Sequence, residues 1–238
     1  MNKIIAFTDG ASKGNPGLGG WGAVIVDGDD VTETGGAEKK TTNNRMEMMA
    51  ALSAMEYCQK KKKDLIIYTD SSYLVNGITK WVLGWQKKGW KTMSGGEVLN
   101  RDLWEKLSAI TKVREVNFKV VAGHVGIPGN ERADRIASDL AEGKEVELYK
   151  GVLHDYKINV MDFKTDPVAV ASKEIRKIKK TSGKAFSYLS MVKGDIKTHK
   201  TWAECEERVK GVAGAKFRKS FSPEDEKEII ESWREGKK

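Results

Sequence analysis

Apolar residues gather over positions 3–8 and again over 20–27, in runs too short for helices and bounded by polar residues or glycine. Both runs have strand length and predict two strands. A third, less sharply patterned, is expected over 31–37, after the turn residues Gly28, Asp29 and Asp30. The period then changes. TTNN at 41–44 supplies helix-capping side chains, and RMEMMAALSAMEYCQ behind it sets apolar residues and strong helix formers at helical spacing. The lysines of KKKK at 60–63 suit the negative end of that helix's dipole. DLIIYTD at 64–70 predicts a short buried strand that stops on an aspartate. Helices are expected over 71–84, 100–111 and 130–143, and a strand, VNFKVVAG, over 116–123. WQKKGWK at 85–91 reads as a basic, aromatic turn, and HVGIPG at 124–129 as a loop. Strands first, then strands alternating with helices, predict an α/β layer built on a mixed sheet.

Beyond about residue 147 the periodicity weakens. LYKGVLHDYKINVMDFKTDPVAV has no clear period, and KEIRKIKKTSGK is basic and ends loosely. Order returns from 184 as strand (AFSYLSMV), turn (KGD), helix (TWAECEERVK), strand (AKFRKSF) and helix (SPEDEKEIIESW). The expected organisation is a first domain over 1–147, an extension and linker over 148–183, loosest from about 160, and a small α+β domain over 184–238. The last is short for an independent core but sufficient. There is no internal repeat.

Composition narrows the class. With 39% apolar and 32% charged residues in 238, the chain reads as globular and somewhat polar. No apolar run approaches the length of a membrane span, and MNKIIAFTDG enters a strand without a signal-peptide pattern. The two cysteines, Cys58 and Cys205, are read as free thiols in a reducing compartment, so a cytoplasmic location and no membrane partner are expected. A net charge of +8, spread along the chain, fits a polyanionic partner, though many basic proteins bind none.

The chemistry begins with IAFTDGASKGNPGLGGWGAVI, where a strand ends on Asp9 and glycines follow. The segment lacks the spacing of a P-loop or a dinucleotide fingerprint, so it is either a plain hairpin with a capping aspartate or a site. Asp70 ends a second strand in the matching word YTDS, Glu47 lies in the first turns of a helix, and Asp134 lies just inside another. Each alone could be a cap or a surface charge. Strand ends and helix starts can also converge at one end of a sheet, where clustered carboxylates repel unless a divalent cation joins them. No His/Cys spacing suggests zinc.

Six stretches then occur in a fixed order: TDGASKGNPGLGGWG, TTNNRMEMMAALSA, TDSSYLVNGITKW, GWQKKGW, NRDLW and GHVGIPGNERAD. Together they closely resemble type 1 ribonuclease H, the enzymes that cut the RNA strand of RNA–DNA hybrids, over roughly residues 1–143. The resemblance implies an RNase H-like mixed five-stranded sheet flanked by helices. It implies that Asp9, Glu47, Asp70 and Asp134 hold two Mg²⁺ ions, with Mn²⁺ able to substitute, and that His124 assists proton transfer or product release. It assigns Asn15, Asn43 and Asn44 to the RNA minor groove, where an amide can meet a 2′-hydroxyl as donor and acceptor. For Asn43 and Asn44, helix capping is the alternative role. Thr42 and Asn100 match positions that hold a DNA phosphate, and Trp81 an aromatic in the DNA channel. Lys87 and Lys88, with Lys91 among Trp85 and Trp90, resemble the basic protrusion of bacterial members; a surface turn with core tryptophans is the alternative. TMSGGEVLN after it is less basic than in many relatives. The glycines after Asp9 are expected to let a nucleic-acid backbone approach closely.

The C-terminal stretch KTWAECEERVKGVAGAKFRKSF resembles the small hybrid-binding, viroplasmin-type module that precedes the nuclease in eukaryotic relatives. Trp202, Arg218 and Lys219 match its exposed tryptophan and basic pair, with Lys216 nearby. Tyr188 stands one position off the family's aromatic, and a one-residue offset in a strand turns a side chain to the other face. Ser220 is an extra residue. This module is expected to hold RNA–DNA hybrid, with duplex RNA, duplex DNA or a protein partner as alternatives. The chain is expected to act as a monomer.

Overall fold

The computed structural model describes residues 3–14, 16–61, 63–121, 123, 126–165, 170, 185–212 and 214–235. The chain divides into two compact units, Met1–Ala169 and Val170–Lys238.

In the first unit, β1 (Lys3–Gly14), β2 (Gly17–Asp27) and β3 (Asp30–Thr41) form an antiparallel meander. β4 (Asp64–Thr69) lies parallel to β1, and β5 (Val116–Val120) parallel to β4. A short sixth strand, β6 (Lys150–Val152), pairs antiparallel with β3 and extends the five expected strands to the order β5-β4-β1-β2-β3-β6. Strand alternation sorts β1 into two faces. Ile4 and Ala6 join Ile25, Leu65 and Ile67 against Met48, Ala51 and Met55 of α1 (Asn43–Cys58) and Trp104 and Leu107 of α4 (Arg101–Val113). All of these are fully buried or nearly so.

The expected helix over 71–84 is broken into α2 (Ser72–Asn76), a π turn (Gly77–Trp81) and α3 (Val82–Lys87). The π turn begins where the chain passes close over the Trp104 indole: a Cβ on Gly77 would stand 2.0 Å from that ring, so only glycine fits there.

The opposite face of the sheet is covered over β1–β3 by α5 (Pro128–Ala141). A Cβ on Gly20 would lie 2.3 Å from the Ala137 carbonyl oxygen, and one on Gly22 would lie 2.5 Å from that of Ala133. Gly10, on the other face, would strike the Glu47 amide nitrogen at 2.2 Å. Gly10, Gly20 and Gly22 therefore admit the protein's own helices, whereas Gly14 and Gly17 face no helix.

Residues 147–163, which carry no clear period, fold onto this unit. The fully buried Glu33 carboxylate on β3 receives both 2.7 Å hydrogen bonds of the Arg132 guanidinium, the Tyr149 amide at 2.9 Å and the Tyr156 hydroxyl at 2.5 Å. Val160 is buried, and Phe163 lies over Phe7 of β1 and Tyr68 of β4.

The second unit is a three-stranded antiparallel sheet ordered β8-β7-β9, from β7 (Ser187–Val192), β8 (Asp195–His199) and β9 (Lys216–Ser220), with α6 (Trp202–Val209) and α7 (Pro223–Glu235). Leu189, Cys205 and Ile229 are buried within it. β8 is a strand the periodicity does not announce, because DIKTH exposes most of its residues. Its turn does announce it: Lys193 and Gly194 both have positive φ, 48° and 82°, as a two-residue hairpin of twist-matched type requires.

Candidate active site

Two strands and two helices deliver the four carboxylates. Asp9 follows Phe7 on β1 at the spacing that keeps one face. Asp70 stands two residues beyond Tyr68, just past the end of β4. Glu47 occupies the first turns of α1, whose N-cap Thr42 accepts the Arg45 amide at 3.3 Å. Asp134 lies on α5, with the Ser138 hydroxyl 3.4 Å from its carboxylate.

Asp9 lies in the electrostatic field of the other three. Burial, then the Asp70 charge, then those of Asp134 and Glu47 push Asp9 up to about 8, against a 2.7 Å hydrogen bond from the Gly10 amide that pulls it down. Glu47 is pushed up to about 7 by burial and by Asp70, opposed by the Ser71 hydroxyl and by the Asn43 amide at 2.9 Å. Ser71, the N-cap of α2 through its 3.2 Å bond from Leu74, is a partner of the site that sequence reasoning passed over. Its place directly after Asp70 in TDSS was the available signal.

Among the described residues, no three His, Cys, Asp or Glu side chains are drawn into a formed metal cage. The donor set is nonetheless of one kind: carboxylate oxygens, two of them held above the usual carboxylate range by burial and mutual repulsion. That is an excess of negative charge which a hard divalent cation matches.

The other expected residues distribute as follows. Asn43 turns to Glu47, and Asn44 is exposed one residue further along α1. Asn100 precedes α4 with φ of 57°, a left-handed conformation that asparagine tolerates, and its side chain makes no cap hydrogen bond. Trp81 is 38% exposed, its ring centroid 6.0 Å from that of Tyr73 and 5.7 Å from that of Trp85. Lys87 and Lys88 are exposed, whereas Trp85 and Trp90 pack partly buried against the core. His124 and Asn15 lie outside the described residues.

In the second unit Trp202 is 39% exposed and meets two rings, Tyr188 at 5.8 Å and Phe217 at 5.3 Å. The offset of Tyr188 does not turn it away. The pairs Tyr188↔Lys219 and Ser190↔Phe217 set Tyr188 and Phe217 on one face, the face that Trp202 meets. Phe217, not singled out from sequence, is 56% exposed and completes the aromatic group. Lys219 leaves β9 on the Phe217 face, and Lys216 and Arg218 leave it on the other, so the basic pair is split across the strand.

Residues 1–142 match the RNase H family. The chain belongs to that family. It is a ribonuclease H by its relatives as well. It is 53% identical over 152 residues to the ribonuclease H of Cyanothece sp., covering 62% of this chain and 96% of that protein. It is 51% identical over 141 residues to that of Novosphingobium aromaticivorans, covering 59% and 98%. Among solved structures, LC9-RNase H1, described as a type 1 RNase H with the type 2 active-site motif, aligns at 29% identity and a TM-score of 0.55 over 63% of this chain and 77% of that one. The RNase H domain of PFV shares the fold at 18% identity and a TM-score of 0.52, over 60% of this chain and 96% of that one. Within the second unit of this ribonuclease H, residues 198–227 match the family described as the ribonuclease H1 N-terminal domain. No helix among the described residues is long and apolar enough to cross a membrane.

Proposed function

We propose that the chain cuts the RNA strand of RNA–DNA hybrids endonucleolytically, leaving 5′-phosphate and 3′-hydroxyl ends, with Asp9, Glu47, Asp70 and Asp134 holding two Mg²⁺ ions. The observation that carries this is the gathering of Asp70, Asp134 and Glu47 around the buried Asp9, close enough for each to raise its carboxyl. Ions bound there supply an activated water and charge neutralisation at the leaving oxygen. The chain's own residues do the rest. Asn43 orients Glu47 through its 2.9 Å bond and, with Asn44 and Asn15, reads the 2′-hydroxyl that separates RNA from DNA. Thr42 and Asn100 receive a DNA phosphate, Trp81 lines the path of the DNA strand, and Lys87 and Lys88 hold the backbone. His124 moves a proton or assists product release. Trp202, with Tyr188, Phe217 and Lys219, gives the second unit a stacking and charged face for duplex, to which Lys216 and Arg218 add positive charge from the other side of β9, and the connecting chain keeps it at high effective concentration. The nuclease is expected to act as a monomer in the cytoplasm.

Labelled hybrid, duplex DNA and duplex RNA incubated with Mg²⁺ test the reading. Cleavage confined to the RNA of the hybrid, and lost in Asp9→Asn and Asp70→Asn, is the expected result. Unchanged hybrid cleavage by either variant overturns the mechanism, and equal cleavage of duplex DNA overturns the substrate.

A further inference from the structure

The parallel ladder between β1 and β4 runs from Lys3↔Asp64 to Phe7↔Tyr68 and stops there. Asp9 and Asp70 each stand two residues beyond that last rung. The pairing of β1 with β4 therefore does not reach the two carboxylates. What joins the strand ends nearest to them is aromatic. Phe7 and Tyr68 stack at 5.2 Å with an interplanar angle of 21°, and Phe163 lies on both, at 5.7 Å and 5.0 Å. Gly129 at the start of α5 closes on Phe7 from its own side, where a Cβ would come 2.5 Å from the ring. Phe163 belongs to neither the catalytic helices nor the sheet, and lies beyond the residues matched by the RNase H family. It is brought there by the stretch anchored at Glu33 through Tyr149 and Tyr156 and seated by the buried Val160.

We propose that Phe163 is a positioning residue of the active site, closing an aromatic triad that holds together the two strands from which Asp9 and Asp70 extend. The inference rests on the metal reading above. Ring pairs of this kind attract one another beyond the area they bury, which biases the two strand ends toward one another. Residues 147–163 are thereby part of the nuclease and not a spacer. Residues that orient metal ligands from outside the coordination shell typically alter affinity by about 10-fold or more when removed.

The test is a calorimetric titration of the full chain with Mg²⁺, read alongside the Mg²⁺ dependence of hybrid cleavage. Phe163→Ala is expected to raise the Mg²⁺ concentration for half-saturation roughly 10-fold in both readouts, with the hybrid KM at saturating Mg²⁺ unchanged. Phe163→Tyr keeps the ring, whose edge is solvent-accessible, and is expected to titrate like the wild type. Asp27→Asn weakens the ion pairs with Lys61 and Lys63 at the Ile4 end of the β1–β2 ladder, away from the triad, so it should lower the Tm and leave the Mg²⁺ midpoint alone. Should Phe163→Ala fail to fold, Phe163→Leu carries the same measurement with a smaller shift in the same direction. A Phe163 variant that loses Tm with an unmoved Mg²⁺ midpoint overturns the positioning role and leaves the metal site standing. Absence of Mg²⁺ binding by the wild type overturns the metal reading and this inference with it.

Discussion

At the scale of single residues, the four carboxylates and one glycine set the limits of the site. A carboxyl whose folded pKa is raised stabilises the fold below its unfolded pKa and loses that contribution as pH rises through the folded value. For Asp9 and Glu47 the window runs from about 4 to about 8, so metal-free protein is expected to melt at a lower temperature at pH 9 than at pH 5. Thermal scans in chelator at the two pH values check it, and the Tm gain on adding Mg²⁺ should be larger at pH 9 by mass action. Asp9→Asn removes the most strongly shifted member, and its metal-free Tm is expected to equal or exceed that of the wild type while cleavage is lost. Gly10 acts by being small. The Cβ of Gly10→Ala meets backbone atoms of Met46 and Glu47 at 2.4 Å and 2.2 Å, and backbone cannot rotate out of the way. The variant should lose roughly 1–3 kcal/mol in denaturant unfolding, with a fall in activity as α1 shifts and carries Glu47 off Asp9.

Among the elements, those with a clean period were legible and those built by partners were not. α1, β4 and α4 follow the runs read from the sequence, because their apolar residues have one face to bury; β1 does not end on Asp9 but runs on to Gly14 and β2 starts at Gly17, because the two pair as one long hairpin, and α5 starts at Pro128, inside the expected loop. The π turn within the expected helix over 71–84 begins where the chain passes over the Trp104 ring, which is far away in sequence. β6 has three residues and exists only through its pairing with β3. The acidic quartet was legible through its flanking words, whereas Ser71, Phe217 and Phe163 act through neighbours that no local pattern reveals. The anchor of the extension yields a prediction at this scale. Glu33 is held below the usual carboxylate range, by Arg132 first among its partners, then by the Tyr149 amide and the Tyr156 hydroxyl, against the opposing effect of burial. A depressed carboxyl contributes stability above its unfolded pKa and loses it as pH falls through the folded one. Glu33→Gln is expected to cost roughly 3 kcal/mol near neutral pH, because Arg132 is left half-buried without its charge partner. It should also flatten the acid side of the Tm-against-pH curve.

For the molecule as a whole, the proposed function divides catalysis and holding between the two units. A chain ending at residue 165 keeps Val160 and Phe163 and is expected to cleave hybrid at the full-length rate when substrate saturates, with weaker binding at low concentration. One ending at 158 removes both residues, so it should melt earlier and demand more Mg²⁺. In the full chain Trp202→Ala should weaken hybrid binding by about 1–3 kcal/mol, as loss of an aromatic stacking surface does, with kcat unmoved. Equal binding by that variant would send the second unit to a protein partner. The late position of Phe163 also bears on how the enzyme comes into being. Synthesis lays down Asp9, Glu47, Asp70 and Asp134 first, and the ring that fastens the strands of Asp9 and Asp70 emerges almost thirty residues after the last of them. A nascent chain halted in that interval holds every carboxylate and only the Phe7–Tyr68 pair of the proposed triad, so on this inference a protein with a complete set of acids is not yet fully fastened until translation has moved past the end of its own catalytic motif.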